Sequence, residues 1–140
     1  MGSQYVYMDT SAFMAVLNFD DQYHDSARNA WIKLLESDSI LTCSSYVLVE
    51  TYALLQNRLG IEAVRAFQRD IAPLLDVVWV KEDLHRIGLN SLLTANRAKL
   101  SLVDCVSFSL MRSLNVSRAF TYDKHFAEQG FQVLNEHRFS

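Results

Sequence analysis

Four acidic residues in this 140-residue chain stand where a carboxylate can do chemistry: Asp9, Glu50, Asp104 and Asp123. Asp9 directly ends the apolar run Tyr5-Val6-Tyr7-Met8, and Asp123 follows Ala119-Phe120-Thr121 at one residue's remove. Asp104 comes three residues after Ser101, in the first turn of a predicted helix, and Glu50 lies about a turn into another. Each has an ordinary structural role open to it: an Asp at a strand end caps helices, an acid in a first helical turn complements the helix dipole, and a helix Glu usually faces water. Glu50, however, is set between Val47-Leu48-Val49 and Tyr52-Ala53-Leu54-Leu55, which predicts burial of part of its side chain. Convergence of the four would narrow the chemistry. Two carboxylates about 4 Å apart repel by roughly 4 kcal/mol at an effective dielectric of 20, so such a group takes up protons, splays apart or holds a cation. Oxygen donors without interleaved Cys or His at zinc spacing select Mg²⁺ or Mn²⁺. His24, His85, His125 and His137 are scattered, and none is assigned to metal.

The elements that must position these acids can be read from periodicity and punctuation. Tyr5 to Met8 is short, β-prone and stopped by Asp9-Thr10-Ser11, the signature of a buried strand. Helices are predicted at Ala12 to Leu17 and from Asp25 to the break at Ser37-Asp38-Ser39. A second strand, Ile40 to Cys43, precedes a helix capped by Ser44 or Ser45, apolar along Val47, Leu48, Thr51, Tyr52 and Leu55, and ended by Gly60. Residues 61 to 75 continue helically to an interruption near Pro73, and the β-branched run Asp76 to Val80 reads as a third strand. Lys81 to Lys99 is helical again, and Ser101 caps the helix that carries Asp104. A fourth strand at Ala119 to Thr121, a short helix at His125 to Gln129 and a last strand at Phe131 to Leu134 complete the order. Strands alternating with helices predict a three-layer α/β/α fold, with a central parallel sheet and helices on both faces. Such sheets bind ligands beyond the carboxyl ends of their strands. All four acids can converge on that edge.

Composition bounds the remaining possibilities. The length predicts one domain spanning 1–140. Half the residues are hydrophobic, enough for a real core, which excludes intrinsic disorder. One Pro and four Gly argue against an all-β fold crowded with tight turns. The formal net charge of −3 is not the basic footprint of a protein that holds nucleic acid by phosphate contacts alone. Setting the four acids aside leaves twelve acidic against thirteen basic residues, so the acidity is concentrated in the candidate site. Any nucleic-acid contact then falls to basic residues rimming it: Lys99 and Lys124 are nearest in sequence to Asp104 and Asp123, with Arg97 beside them and Arg58 following the Glu50 helix. Cys43 and Cys105 sit in apolar runs without a Cys-x-x-Cys pair and read as buried, reduced thiols. No secretion signal or membrane span is present, so a cytoplasmic protein is expected, and Gly2-Ser3 reads as a vector-derived scar as readily as native sequence.

Four segments resemble the motifs of the PIN-domain family. Tyr7-Met8-Asp9-Thr10-Ser11-Ala12-Phe13 is similar to its opening motif and Leu48-Val49-Glu50-Thr51 to its second acidic motif. Ser101-Leu102-Val103-Asp104-Cys105-Val106-Ser107-Phe108 is similar to its third, and Thr121-Tyr122-Asp123-Lys124-His125-Phe126 to its fourth. The resemblance covers essentially the whole chain, in order, with no departure at the acids. It implies a sheet of about five parallel strands with the first strand central, and a metal-dependent endoribonuclease that cleaves tRNA, rRNA or mRNA. In that reading Asp9, Asp104 and Asp123, with Glu50 direct or through water, hold one or two Mg²⁺ or Mn²⁺ ions, and Thr10, Ser11 and Thr121 orient a carboxylate or water from behind. Stand-alone PIN domains of this length are most often VapBC-type toxins, which implies a small antitoxin partner and a homodimer. Phe13, Leu17, Phe19, Trp31 and Leu55 are either an antitoxin-binding surface or simply core. The alternative function is a PIN-domain RNA-processing or decay nuclease, or a non-cleaving RNA-binding scaffold, without an antitoxin. A phosphoacceptor receiver domain is excluded by the lone Asp9 where paired acids are needed. A haloacid-dehalogenase-type phosphatase is excluded by Ser11 where a second Asp is needed.

Overall fold

The computed structural model describes residues 4–135, leaving residues 1–3 and His137 outside. Its strands are β1 (Tyr5–Met8), β2 (Ile40–Ser44), β3 (Leu75–Val78), β4 (Arg118–Phe120) and β5 (Gln132–Leu134). The helices are α1 (Thr10–Leu17), α2 (His24–Glu36), α3 (Ser45–Leu59), α4 (Ile61–Asp70), α5 (Glu82–Ala95), α6 (Leu102–Ser113) and α7 (Lys124–Glu128), with a 3-10 turn at Ala72–Leu74. The five strands pair in the order β3-β2-β1-β4-β5, all parallel. The expected α/β sandwich with its first strand central is therefore present. Chain order runs outward from β1 through β2 to β3, then crosses back to β4 and on to β5. With right-handed crossovers, that reversal puts helices on both faces. It also opens a crevice between the carboxyl ends of β1 and β4, the topological switch point at which open parallel sheets bind ligands.

The central strand explains its own composition. Val6, Tyr7 and Met8 are completely buried, as a strand covered on both faces requires. The Tyr7 hydroxyl is satisfied there, donating to Ser107 Oγ at 2.7 Å and accepting from the Ser44 amide at 3.2 Å. Phe13 of α1 meets Phe67 of α4 edge-on at 5.1 Å, while Phe126 of α7 meets Phe108 of α6 at 5.0 Å. Phe13 and Leu55 are thus core, not docking surface; Leu17 and Trp31 pack partly buried against it, and only Phe19 of that group is exposed. Both cysteines are buried and free, as expected.

Element ends differ from expectation where local hydrogen bonding decides. The helix expected to reach Lys99 stops at Ala95, because Asn96 turns left-handed with φ 52° and ends α5. The edge strand β3 stops at Val78, and the Val80 amide bonds Ser45 Oγ at 2.9 Å instead of continuing the ladder. β4 ends one residue early, so Asp123 stands a residue farther from its strand than the sequence pattern indicates. Ser101 forms the expected cap, reciprocated by Asp104 in a full capping box.

Candidate active site

Asp9 leaves the buried end of β1 and caps α1. Its amide donates to Phe120 O at the end of β4, 3.1 Å away, so the sheet itself sets its position. Among the described residues the hydrogen bonds to its side chain all fall on one carboxylate oxygen: Oδ2 accepts from Ser11 Oγ at 2.6 Å, from Thr121 Oγ1 at 2.9 Å and weakly from the Ser11 amide at 3.4 Å. Ser11 Oγ in turn accepts from the Tyr122 amide at 3.0 Å, and Thr121 Oγ1 accepts from the Asp123 amide at 2.9 Å. Two hydroxyls therefore lock the turn after β1 to the turn after β4. Ser11 and Thr121 stand behind Asp9. Thr10 lies beside a different acid, Glu50 on α3, whose carboxyl it hydrogen-bonds; its hydroxyl is also 3.5 Å from Val47 O and accepts from Thr51 Oγ1 at 3.4 Å.

The other acids come from three different elements. Asp104 sits on the first turn of α6, its Oδ2 accepting from the Ser101 amide at 3.2 Å. Asp123 caps α7, Oδ1 accepting from the His125 amide at 2.9 Å. Glu50 is half-buried on α3, as its apolar flanks predict. All four line one cleft of about 380 Å³, together with Ser11, Thr10 and Arg58.

The electrostatics of the cleft are those of buried acids gathered close to one another. Burial pushes the Asp9 carboxyl up to about 6; the bonds from Ser11 and Thr121 pull it down, and the charges of Asp104 and Asp123 push it up again. Burial likewise raises Glu50, opposed by Thr10 and reinforced by the same two aspartates. Asp104 is raised by burial and by Asp123, against the lowering pull of Ser101 and of His125. A carboxylate cluster in this condition favours protons or a cation.

One histidine belongs to the site although its sequence position gave it no role. His125 is buried, and its Nδ1 lies 2.8 Å from Asp123 Oδ1 without the alignment of a hydrogen bond, which leaves that atom unsatisfied. Donor atoms of Asp104, Asp123 and His125 lie within 4.8 Å of one another. Asp9 and Glu50 stand outside this tight trio but line the same cleft. The missed signal is local: in Asp123-Lys124-His125 the acid is a helix cap and the histidine is two residues on, so the helix start folds the ring back onto the carboxylate. The predicted RNA contacts divide. Lys124 is exposed and lines an adjoining cleft, whereas Lys99 lines neither cleft and Arg97 pairs with Glu128 at 3.1 Å. Arg58 does reach the cleft, because Glu50, Leu54 and Arg58 recur every fourth residue along one side of α3.

Comparisons with known proteins agree with this geometry. Residues 6–132 match the family model of the PIN domain. The 23S rRNA-specific endonuclease VapC20 of Mycobacterium tuberculosis is 30% identical over 127 residues, spanning 90% of this chain and 95% of that protein. The crystal structure of Mycobacterium tuberculosis VapC20, described as a sarcin–ricin loop cleaving toxin, superposes with a TM-score of 0.81 at 28% identity. It covers 93% of this chain and 98% of that one. FitAcB from Neisseria gonorrhoeae shares the fold, with a TM-score of 0.67 at 14% identity over 96% and 99% of the two chains.

Proposed function

Because the chain belongs to the PIN-domain family, we propose that it is a VapC-like ribonuclease whose acid cluster holds Mg²⁺ or Mn²⁺ and whose substrate is ribosomal RNA. The observation that carries this reading is the convergence of Asp9, Glu50, Asp104 and Asp123, from four separate elements, on one cleft at the switch point of the sheet. The residues fit a divalent ion. Among the described residues Asp9 Oδ1 carries no bond while Oδ2 is fully engaged, and the buried His125 Nδ1 makes no hydrogen bond although Asp123 Oδ1 lies 2.8 Å away. Asp9, Asp104 and Asp123 would hold the ion, with Glu50 direct or through water; His125 adds a nitrogen donor, which favours Mn²⁺ over Mg²⁺. One or two such ions, if bound there, would lower the pKa of an attacking water and neutralise charge on the phosphodiester.

The remaining work is done by the chain. Ser11 and Thr121 hold Asp9 Oδ2 and thereby aim Oδ1 into the cleft. Glu50, raised by burial, sits where it can take a proton from water. Arg58 at the cleft wall supplies positive charge for an RNA phosphate, and Lys124 does so next door. The VapC likeness also carries a small antitoxin partner, a homodimer and a cytoplasmic location into this reading; no described helix is long and apolar enough to cross a membrane.

The test is cleavage of ribosomes and of a sarcin–ricin loop hairpin by purified protein in Mg²⁺ and in Mn²⁺, with RNA 5′ ends sequenced. Asp104→Asn should abolish cleavage while leaving the circular dichroism spectrum unchanged. Full activity of that variant overturns the assignment of the site, and cleavage of tRNA or mRNA alone overturns the choice of substrate.

A further inference from the structure

Next to the acidic cleft lies a second of about 500 Å³, and the two share Gln22, Tyr23, Tyr122 and Asp123. Where they meet, the rings of Tyr23 and Tyr122 stack nearly parallel, 11° apart with centroids at 4.6 Å. Tyr122 is anchored. Its amide bonds Ser11 Oγ at 3.0 Å, the same hydroxyl that holds Asp9, and its own hydroxyl lies 2.9 Å from Ser26 Oγ. Tyr23 is anchored through its backbone, its amide bonding Asp21 Oδ1 at 2.8 Å and its carbonyl accepting from the Ala27 amide at 2.8 Å. Yet Tyr23 as a residue is 43% exposed, with its ring stacked on Tyr122.

A rigid, half-exposed aromatic residue at the border of an acid cluster is not explained by core packing. It is what a stacking platform for an unpaired base requires, because every nucleobase has a π-face and the platform needs only a fixed, open ring. The second cleft is also lined by the polar Gln22 and the exposed Lys124. Resting on the ribonuclease reading above, we propose that Tyr23, backed by Tyr122, stacks on the base of the nucleotide adjoining the scissile phosphate. The strand then passes from the acidic cleft into the second cleft, where Lys124 meets its next phosphate. The pair selects for single-stranded or loop RNA, since a base in a duplex cannot leave its neighbours to lie on the ring. The precise aim of the scissile phosphate follows from Tyr122 and Asp9 sharing Ser11. Tyr23 is thus a residue that binds the substrate directly.

The experiment uses full-length protein in the Asp104→Asn background, so that RNA stays intact, and a sarcin–ricin loop hairpin carrying 2-aminopurine at single loop positions. Stacking quenches that fluorophore. Binding should quench it at one position adjoining the cleavage site; Tyr23→Phe should keep the quench and Tyr23→Ala abolish it. In otherwise wild-type protein Tyr23→Ala should raise KM about tenfold or more with kcat held, and an abasic nucleotide at that position should cost wild type the same factor but cost Tyr23→Ala nothing. A Tyr23→Ala variant that melts with wild type yet quenches and binds as wild type does overturns the platform, as does any penalty for the abasic site that persists without the ring. Absence of RNA cleavage by wild type in any metal is a different result, the failure of the ribonuclease reading itself.

Discussion

Replacing Asp9 by Asn should stabilise the metal-free protein at about pH 8 and leave it nearly unchanged at about pH 4. The folded carboxyl, desolvated by burial, keeps its proton up to about 6, against an ordinary value of 3.8. In the window between those values the native state binds more protons than the unfolded chain, so stability is fully present below 3.8, falls as pH rises and has been lost above 6. At about 1.4 kcal/mol for each pH unit, the loss is up to about 3 kcal/mol. An Asn at the position keeps a carbonyl oxygen for Ser11 and Thr121 and has no charge to desolvate, so it escapes that cost. It also spares Asp104 and Asp123 a like-charged neighbour. The measurement is urea unfolding in chelator across that pH range, reading the difference between variant and wild type. Addition of Mn²⁺ should reverse the order at high pH, because only the wild type gains the binding energy of the ion. A difference that does not change with pH, or an Asn variant less stable than wild type at about pH 8 in chelator, refutes the argument that Asp9 is a buried charge awaiting a cation.

Two further outcomes follow from the same geometry. His125→Gln should weaken Mn²⁺ binding, measured by titration calorimetry, on the order of tenfold and more than it weakens Mg²⁺ binding; an equal loss for both ions would mean that the ring only supports Asp123. Gly88→Ala should cost about 1–2 kcal/mol in chemical unfolding, because a Cβ there would lie 2.5 Å from Val106 Cγ2 and overpacking outweighs the better helix propensity of Ala; a stabilised variant would show that α5 can move off α6.

The parts of this molecule that were legible in the sequence are those where one dimension decides the outcome. A β-prone run that stops at an acid, as at Met8-Asp9, places that acid at the carboxyl end of a strand whatever the strand's neighbours are. Ser101 with Asp104 three residues on declares a helix start just as locally, and the structure has the reciprocal cap. Other features depend on where a local turn aims a side chain. His125 enters the site because the cap at Asp123 bends its ring backward, and Arg58 enters because it lies two helical repeats from Glu50 rather than beside an acid in sequence. Nearness along the chain was an uneven guide for the basic residues: Lys124 is exposed beside Asp123, whereas Arg97 lies close in sequence to Asp104 yet turns to Glu128.

Strand order was the remaining unknown, and here the site and the sheet depend on each other. Asp9 and Asp123 are 114 positions apart in sequence, and they share a cleft because β1 pairs with β4 rather than only with β2. That pairing is completed at its carboxyl end by side chains: Ser11 and Thr121 continue the register past the last strand residues, each bonding both Asp9 and the turn after β4. The hydroxyls that would tune a metal-holding acid are therefore also the final rungs between the two halves of the fold. It follows that the switch point is a specific place for the chemistry. Where the strand order reverses, beyond the last backbone bond from Asp9 to Phe120, small polar residues fill the gap, and the same residues leave Asp9 Oδ1 without a hydrogen bond among the described residues.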